Sequence, residues 1–193
     1  MKTLIRFLFF MACVSLYVTC QKSDQIMDDL SGSQLKSTQL ITVNVPFKVN
    51  LTVWDHSDYT YMKCGDPPVF ALTMEGSGTS THLGTLTTSM TFCCNVATGE
   101  YFDTEIVFVS ANGDKLYGQI SIGFIVPNPG ENSAYYQSKF NDPIVFTGGT
   151  GRFEGASGEA MTNAFVHDPL DENDVWHTDF FSEGTLVLVK GKN

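Results

Sequence analysis

From Phe47 onward, apolar side chains return at every second position and almost nowhere at the helical interval, and that period commits the chain to β-strands. Phe47, Val49, Leu51 and Val53 alternate with Lys48, Asn50, Thr52 and Trp54, the pattern of a strand with one face buried. Leu86, Met90, Phe92 and Cys94 share one parity, while Thr85, Thr87, Ser89, Thr91 and Cys93 share the other. Cys94 is therefore expected inside and Cys93 outside. Further strands are predicted at Phe70 to Met74, Ile106 to Val109, Leu116 to Ile125, Ile144 to Phe146, Gly158 to Phe165 and Gly184 to Val189. Turn chemistry separates them at Ala97-Thr98-Gly99, Asn112-Gly113-Asp114 and Pro127-Asn128-Pro129-Gly130. About eight such strands with short turns predict an all-β antiparallel barrel or sandwich. No amphipathic helix is evident, and 17 glycines among many Thr and Val residues agree with that.

The first 19 residues carry a different pattern. Lys2 and Arg6 precede the apolar run Phe7 to Val18, the layout of a secretory signal peptide, and a run of about 12 residues is short of the roughly 20 that a membrane-crossing helix needs. Cys20, followed by Gln21-Lys22-Ser23-Asp24, stands where a bacterial lipoprotein presents its acylated residue. Tyr17 and Thr19 depart from the usual lipobox, so cleavage by ordinary signal peptidase and secretion as a soluble protein stay open beside lipidation at Cys20. Residues 20–37 are polar, with Asp28, Asp29, Ser31, Gly32 and Ser33, and suit a flexible tether. A single barrel domain is expected over 38–193, held by its lipid at the outer membrane or facing the periplasm.

Without the leader the chain keeps nine basic residues against 21 acidic ones, a formal charge of −12. Nucleic acid and anionic lipid surfaces are poor partners for such a chain, and no nucleic acid is expected, because phosphate binding needs concentrated Lys and Arg. The membrane is met through the lipid anchor alone. Cys13 leaves with the leader. If Cys20 is acylated, Cys64, Cys93 and Cys94 remain, an odd number in an oxidising compartment that predicts one disulfide and one free thiol. The outward Cys93 is better placed than Cys94 to meet Cys64, which lies beside Gly65-Asp66-Pro67-Pro68. A zinc site would call for spaced cysteine pairs, so none is expected.

The stretch Phe146-Thr147-Gly148-Gly149-Thr150-Gly151-Arg152-Phe153-Glu154-Gly155-Ala156-Ser157-Gly158 invites a nucleotide reading that its spacing rejects. Gly149, Gly151 and Gly155 do not give the dinucleotide interval, no Lys-Ser or Lys-Thr follows, and a strand comes next. No cofactor is expected. The glycines instead predict a tight turn in which Phe153 plugs one end of the barrel and Gly155 and Gly158 let the next strand bend. The segment resembles the glycine-rich corner of the allene oxide cyclase and dirigent protein superfamily, and the resemblance implies an eight-stranded antiparallel β-barrel with an apolar interior able to hold a small molecule. Gly78-Thr79-Ser80-Thr81-His82-Leu83-Gly84 is similar to an element of exported bacterial proteins with such barrels. The resemblance also implies a homo-oligomer, a trimer. The family's active-site residues do not match positions in this chain.

His82 is read as a hydrogen-bonded structural histidine in preference to a base or metal ligand, for want of a partner at a diagnostic spacing. His167-Asp168-Pro169-Leu170-Asp171-Glu172-Asn173-Asp174-Val175-Trp176-His177 gathers four carboxylates and two imidazoles and is chemically able to attract a hard cation, but it lacks the ligand order of an EF-hand, and no metal is expected. Trp54, Tyr59, Tyr61, Tyr135 and Tyr136 supply aromatic faces for a sugar platform, a barrel mouth or ordinary packing. Nucleophile-elbow and zincin motifs are absent. The leading expectation is an exported barrel that binds a small apolar molecule without catalysis. Second comes a cyclase or isomerase acting on an oxidised lipid, with Glu75, Glu105 and Tyr117 as interior polar groups. Third comes a surface module for glycan or protein, and fold alone does not choose among them.

Overall fold

The computed structural model describes residues 40–58, 64–130, 132–171 and 174–191. The leader, Cys20, the tether, Tyr59, Tyr61 and Glu172 lie outside the described residues. The strands are β1 (Leu40–Asp55), β2 (Val69–Ser80), β3 (Gly84–Asn95), β4 (Glu100–Ser110), β5 (Lys115–Phe124), β6 (Val126–Pro127), β7 (Ser138–Phe140), β8 (Pro143–Gly149), β9 (Ser157–His167) and β10 (His177–Gly191). Every pairing is antiparallel, and β10 joins both β9 and β1, which closes β1-β2-β3-β4-β5-β8-β9-β10 into an eight-stranded barrel. Closure removes the free edges that an open sheet would present. β6 and β7 form a small flap, with β7 continuing the line of β8 along β9.

The alternation in the sequence is the alternation of the wall. Phe47, Val49, Leu51 and Val53 face inward with Leu86, Met90 and Cys94, and all are buried. Close approach of neighbouring strands requires glycine at positions such as Gly78, where a Cβ would overlap Leu51, and Gly184, where one would overlap Ala160.

Several strands, β1, β2, β4 and β10 among them, are longer than their apolar pattern, and for β4 and β10 the cause is local. β4 starts at Glu100 because a bulge at Asp103, whose φ is 51°, inserts an extra residue and brings both Tyr101 and Thr104 inward. β10 starts at His177 because its first inward positions hold Thr178, Phe180 and Ser182, so polar residues interrupt the apolar period.

One end of the barrel is sealed. The glycine-rich segment forms a short 3-10 turn, Gly151–Phe153, in which Gly151 takes φ 59° and the Phe153 ring is fully buried. A Cβ at Gly151 would collide with the Asp114 carboxylate. Phe47 packs edge-on against Phe146 at 4.7 Å between ring centroids and lies 6.3 Å from Phe108. Leu83, from the β2–β3 turn, adds a second plug. His82 beside it accounts for itself structurally, since its Nε2–H donates to the Pro46 carbonyl at 2.8 Å while Thr81 N–H donates to the Lys48 carbonyl.

Candidate functional site

At the opposite end the strands splay around an interior cavity of about 290 Å³. Val53, Leu72, Met74, Met90, Phe92 and Phe180 form its inner wall, Phe140 and Val166 its side, and Val96 and Trp176 its exposed rim. The barrel is thus neither hollow throughout nor filled throughout. Aromatic and branched side chains pack the sealed half, and in the open half pliable Met74 and Met90 join the aromatic and branched side chains of the wall. A further void of about 40 Å³ lies between this cavity and Ile106 and Ile120.

The carboxylates near the cavity are already engaged, whereas the buried Thr104 hydroxyl beside the adjoining void has no hydrogen-bond partner. Asp55, the one titratable residue among the described lining, accepts from the Ser57 N–H at 2.8 Å and from the Ser57 hydroxyl. Tyr101, buried between Phe92 and Phe140, donates its hydroxyl to Asp142 at 2.8 Å. Burial first, and then that bond to a carboxylate, push its phenol far above the ordinary value. Asp142 also accepts from the Phe124 N–H at 3.4 Å, where β5 has parted from β8. The carboxylate therefore bridges a seam that backbone pairing leaves open.

Glu75, Glu105 and Tyr117 do not enter the interior. Each alternates with buried neighbours, Met74 beside Glu75, Thr104 and Ile106 around Glu105, Leu116 beside Tyr117, so each points away from the barrel axis. The cyclase reading loses its proposed acid and base by strand parity alone.

Cys64 and Cys93 form a disulfide, and Cys94 is a free buried thiol whose pKa burial raises. Cys93 has outward parity but only 8 % exposure, so the expectation of an outside cysteine holds for direction and not for solvent contact.

The acidic loop between β9 and β10 is organised by one histidine. His167, 1 % exposed, donates Nδ1–H to the Tyr135 carbonyl at 2.7 Å and Nε2–H to Asp174 at 2.6 Å. Its ring stacks on Tyr135 at 4.2 Å and lies 4.6 Å from that of His177. Asp174 also accepts from the N–H groups of Leu170 and Val175. An imidazolium donating from both nitrogens has no lone pair for a cation, and among the described residues no group of three His, Cys, Asp or Glu is placed to hold a metal. Tyr136 completes the clasp by donating to Asp179, whose other oxygen accepts from Thr52 at 2.6 Å. The bond to Asp179 pushes that phenol up to about 12.

This clasp ties the 128–137 segment to the loop that carries Trp176, and it makes the rim sensitive to pH. The Tyr135 carbonyl, and then Asp174, raise the His167 pKa above its ordinary value, while His167 and the Leu170 N–H hold Asp174 below the usual carboxylate range. A raised histidine stabilises the fold fully below about pH 6.5, and that contribution is lost as pH rises through the folded value; a depressed carboxylate contributes above about pH 3.9 and is lost as pH falls through its folded value. The rim is thus most stable between about pH 4 and 6.5. Nuclear magnetic resonance titration should place the His167 midpoint above about 6.5, and Asp174→Asn should bring it down. A His167 midpoint at or below the ordinary value would mean that the imidazolium pair does not form.

Fold and site together define a closed eight-stranded barrel with one sealed end and one apolar mouth. No family model and no curated protein matches the chain.

Proposed function

We propose that this protein is an exported, lipid-anchored barrel that binds a small apolar molecule in its mouth and leaves it chemically unchanged. The observation that carries the reading is the cavity of about 290 Å³, apolar on its wall and open at a rim formed by Trp176 and Val96. Its size falls at the small end of ligand sites, room for about ten groups of the volume of a water molecule. The lining supports binding over catalysis: among the described lining residues Asp55 is the one titratable group, and it is already bonded to Ser57. The resemblance to the allene oxide cyclase and dirigent barrels supports the same use of the interior, and the Phe7–Val18 run with Cys20 supports export and anchoring.

Calorimetric titration with 1-naphthylamine, an apolar probe of matching size, tests the reading. Saturable one-to-one binding is expected. Leu72→Trp and Met90→Phe, which add apolar bulk to the wall, should each weaken it about tenfold, since excluding two methylene-sized groups removes about 1.6 kcal/mol of burial. Binding that survives both substitutions unchanged would place the probe elsewhere and remove the cavity from the argument.

A further inference from the structure

The outer wall of β1 to β4 carries a second concavity, about 460 Å³, that the mouth does not share. Its residues stand in two rows set by strand register. Trp54 pairs with Glu75, Glu75 with Ser89 and Ser89 with Val107; alongside, Ser77 pairs with Thr87 and Thr87 with Val109. Four strands at about 4.8 Å spacing make the longer row about 14 Å across.

The composition of those rows is unusual for the outside of a strongly acidic barrel. Bulk stands at the two edges, the Trp54 indole on one side and Val107 with Val109 on the other, while Ser77, Thr87 and Ser89 keep the floor low. Trp54 is 39 % exposed, although it belongs to a strand whose inward neighbours are almost completely buried. Among the described residues no side-chain hydrogen bond is made by Glu75, Ser77, Thr87 or Ser89, so one carboxylate and three hydroxyls face solvent with their capacity unspent, next to an exposed aromatic face.

We infer that this groove is a binding site for a neutral oligosaccharide. An aromatic face offers the apolar C–H side of a sugar ring a large rigid surface at low entropic cost. Glu75, as a carboxylate, only accepts, and it suits the paired hydroxyl donors of a sugar; the three small hydroxyls both donate and accept. His56 is the one basic side chain in the lining, with no Lys or Arg beside it, and the Glu75 carboxylate would repel uronate or sulfate groups, so the glycan is uncharged. The length of the row suits several sugar rings rather than one. The site is separate from the mouth and stands whether or not that cavity holds a ligand.

The test is titration of the protein with cellohexaose, maltohexaose, xylohexaose and chitohexaose, followed by tryptophan fluorescence and amide chemical shifts. At least one should give saturable binding, with shifts concentrated at Ser77, Thr87 and Ser89. Trp54→Ala should lower that affinity at least about tenfold, Trp54→Phe should retain part of it, and Glu75→Gln should lower it several-fold; both positions face outward and leave the core intact. Leu72→Trp, which fills the mouth, should leave oligosaccharide binding unchanged. Absence of saturable binding to all four sugars would overturn the inference, and so would binding that ignores Trp54→Ala or is lost in Leu72→Trp.

Discussion

Phe47→Ala is expected to cost about 3–5 kcal/mol of folding stability, the range for deleting a fully buried aromatic side chain. Phe47 is 0 % exposed and contacts Phe146 and Phe108 across the sealed half of the barrel. Those partners sit on separate strands of a closed wall, which restricts the collapse that would otherwise shrink the void. Each kcal/mol lowers the melting temperature by about 2–4 °C in a domain of this size, so a drop of roughly 10 °C is expected. Phe181→Ala is the control, because Phe181 faces outward on β10 and a change there should stay within about 0.5 kcal/mol. Urea unfolding of both variants reads the difference. A loss below about 1 kcal/mol for Phe47→Ala would mean that the sealed half is loosely packed, and the contrast with the open mouth would disappear.

That contrast marks the boundary of what the sequence discloses. Alternation at Phe47 to Val53 and Leu86 to Cys94 is a local signal, and the strands lie where it places them because one face must leave water. The plug at Phe153 is legible for a related reason: glycines at turn positions and a lone aromatic between them leave few backbone courses. Legibility fails where the local pattern is broken on purpose, as at Asp103, where a bulge shifts parity, and at Thr178 and Ser182, where polar side chains face the interior.

The cavity was not legible in the residues themselves, and only the resemblance implied an apolar interior able to hold a small molecule. Leu72 and Met90 fall in predicted strands, and with Phe180 they become a pocket wall only because no side chain from the opposite strands fills the space between them. That depends on the sum of side-chain volumes at one height of the barrel, which no window of sequence contains. Glu75 illustrates the complementary failure. As a lone carboxylate its chemistry suggested an interior acid, but its parity, fixed by neighbours on β2, puts it in the outer groove beside Trp54.

Removing the Cys64–Cys93 disulfide by Cys64→Ser with Cys93→Ser should cost about 3–4 kcal/mol, the chain-entropy value for a closed loop of this length. The bond spans 29 residues and ties the connection after β1 to the outside of β3. The strand so held carries Phe92 and Met90, and the enclosed loop includes Leu72, so one bond braces two walls of the mouth. The double variant should therefore lose affinity for 1-naphthylamine as well as stability, whereas Phe47→Ala, acting at the other end, should lose stability and keep most of its affinity. Cys93→Ser alone separates the roles of the adjacent thiols. Cys94 faces the interior and belongs to the core, so a replacement bond from Cys64 would require β3 to turn over. Mass mapping of that single variant should find both remaining thiols free and a stability equal to that of the double variant. Recovery of a Cys64–Cys94 bond with wild-type stability would show instead that the end of β3 slips by one residue, and the mouth described by its present register would have to be redrawn.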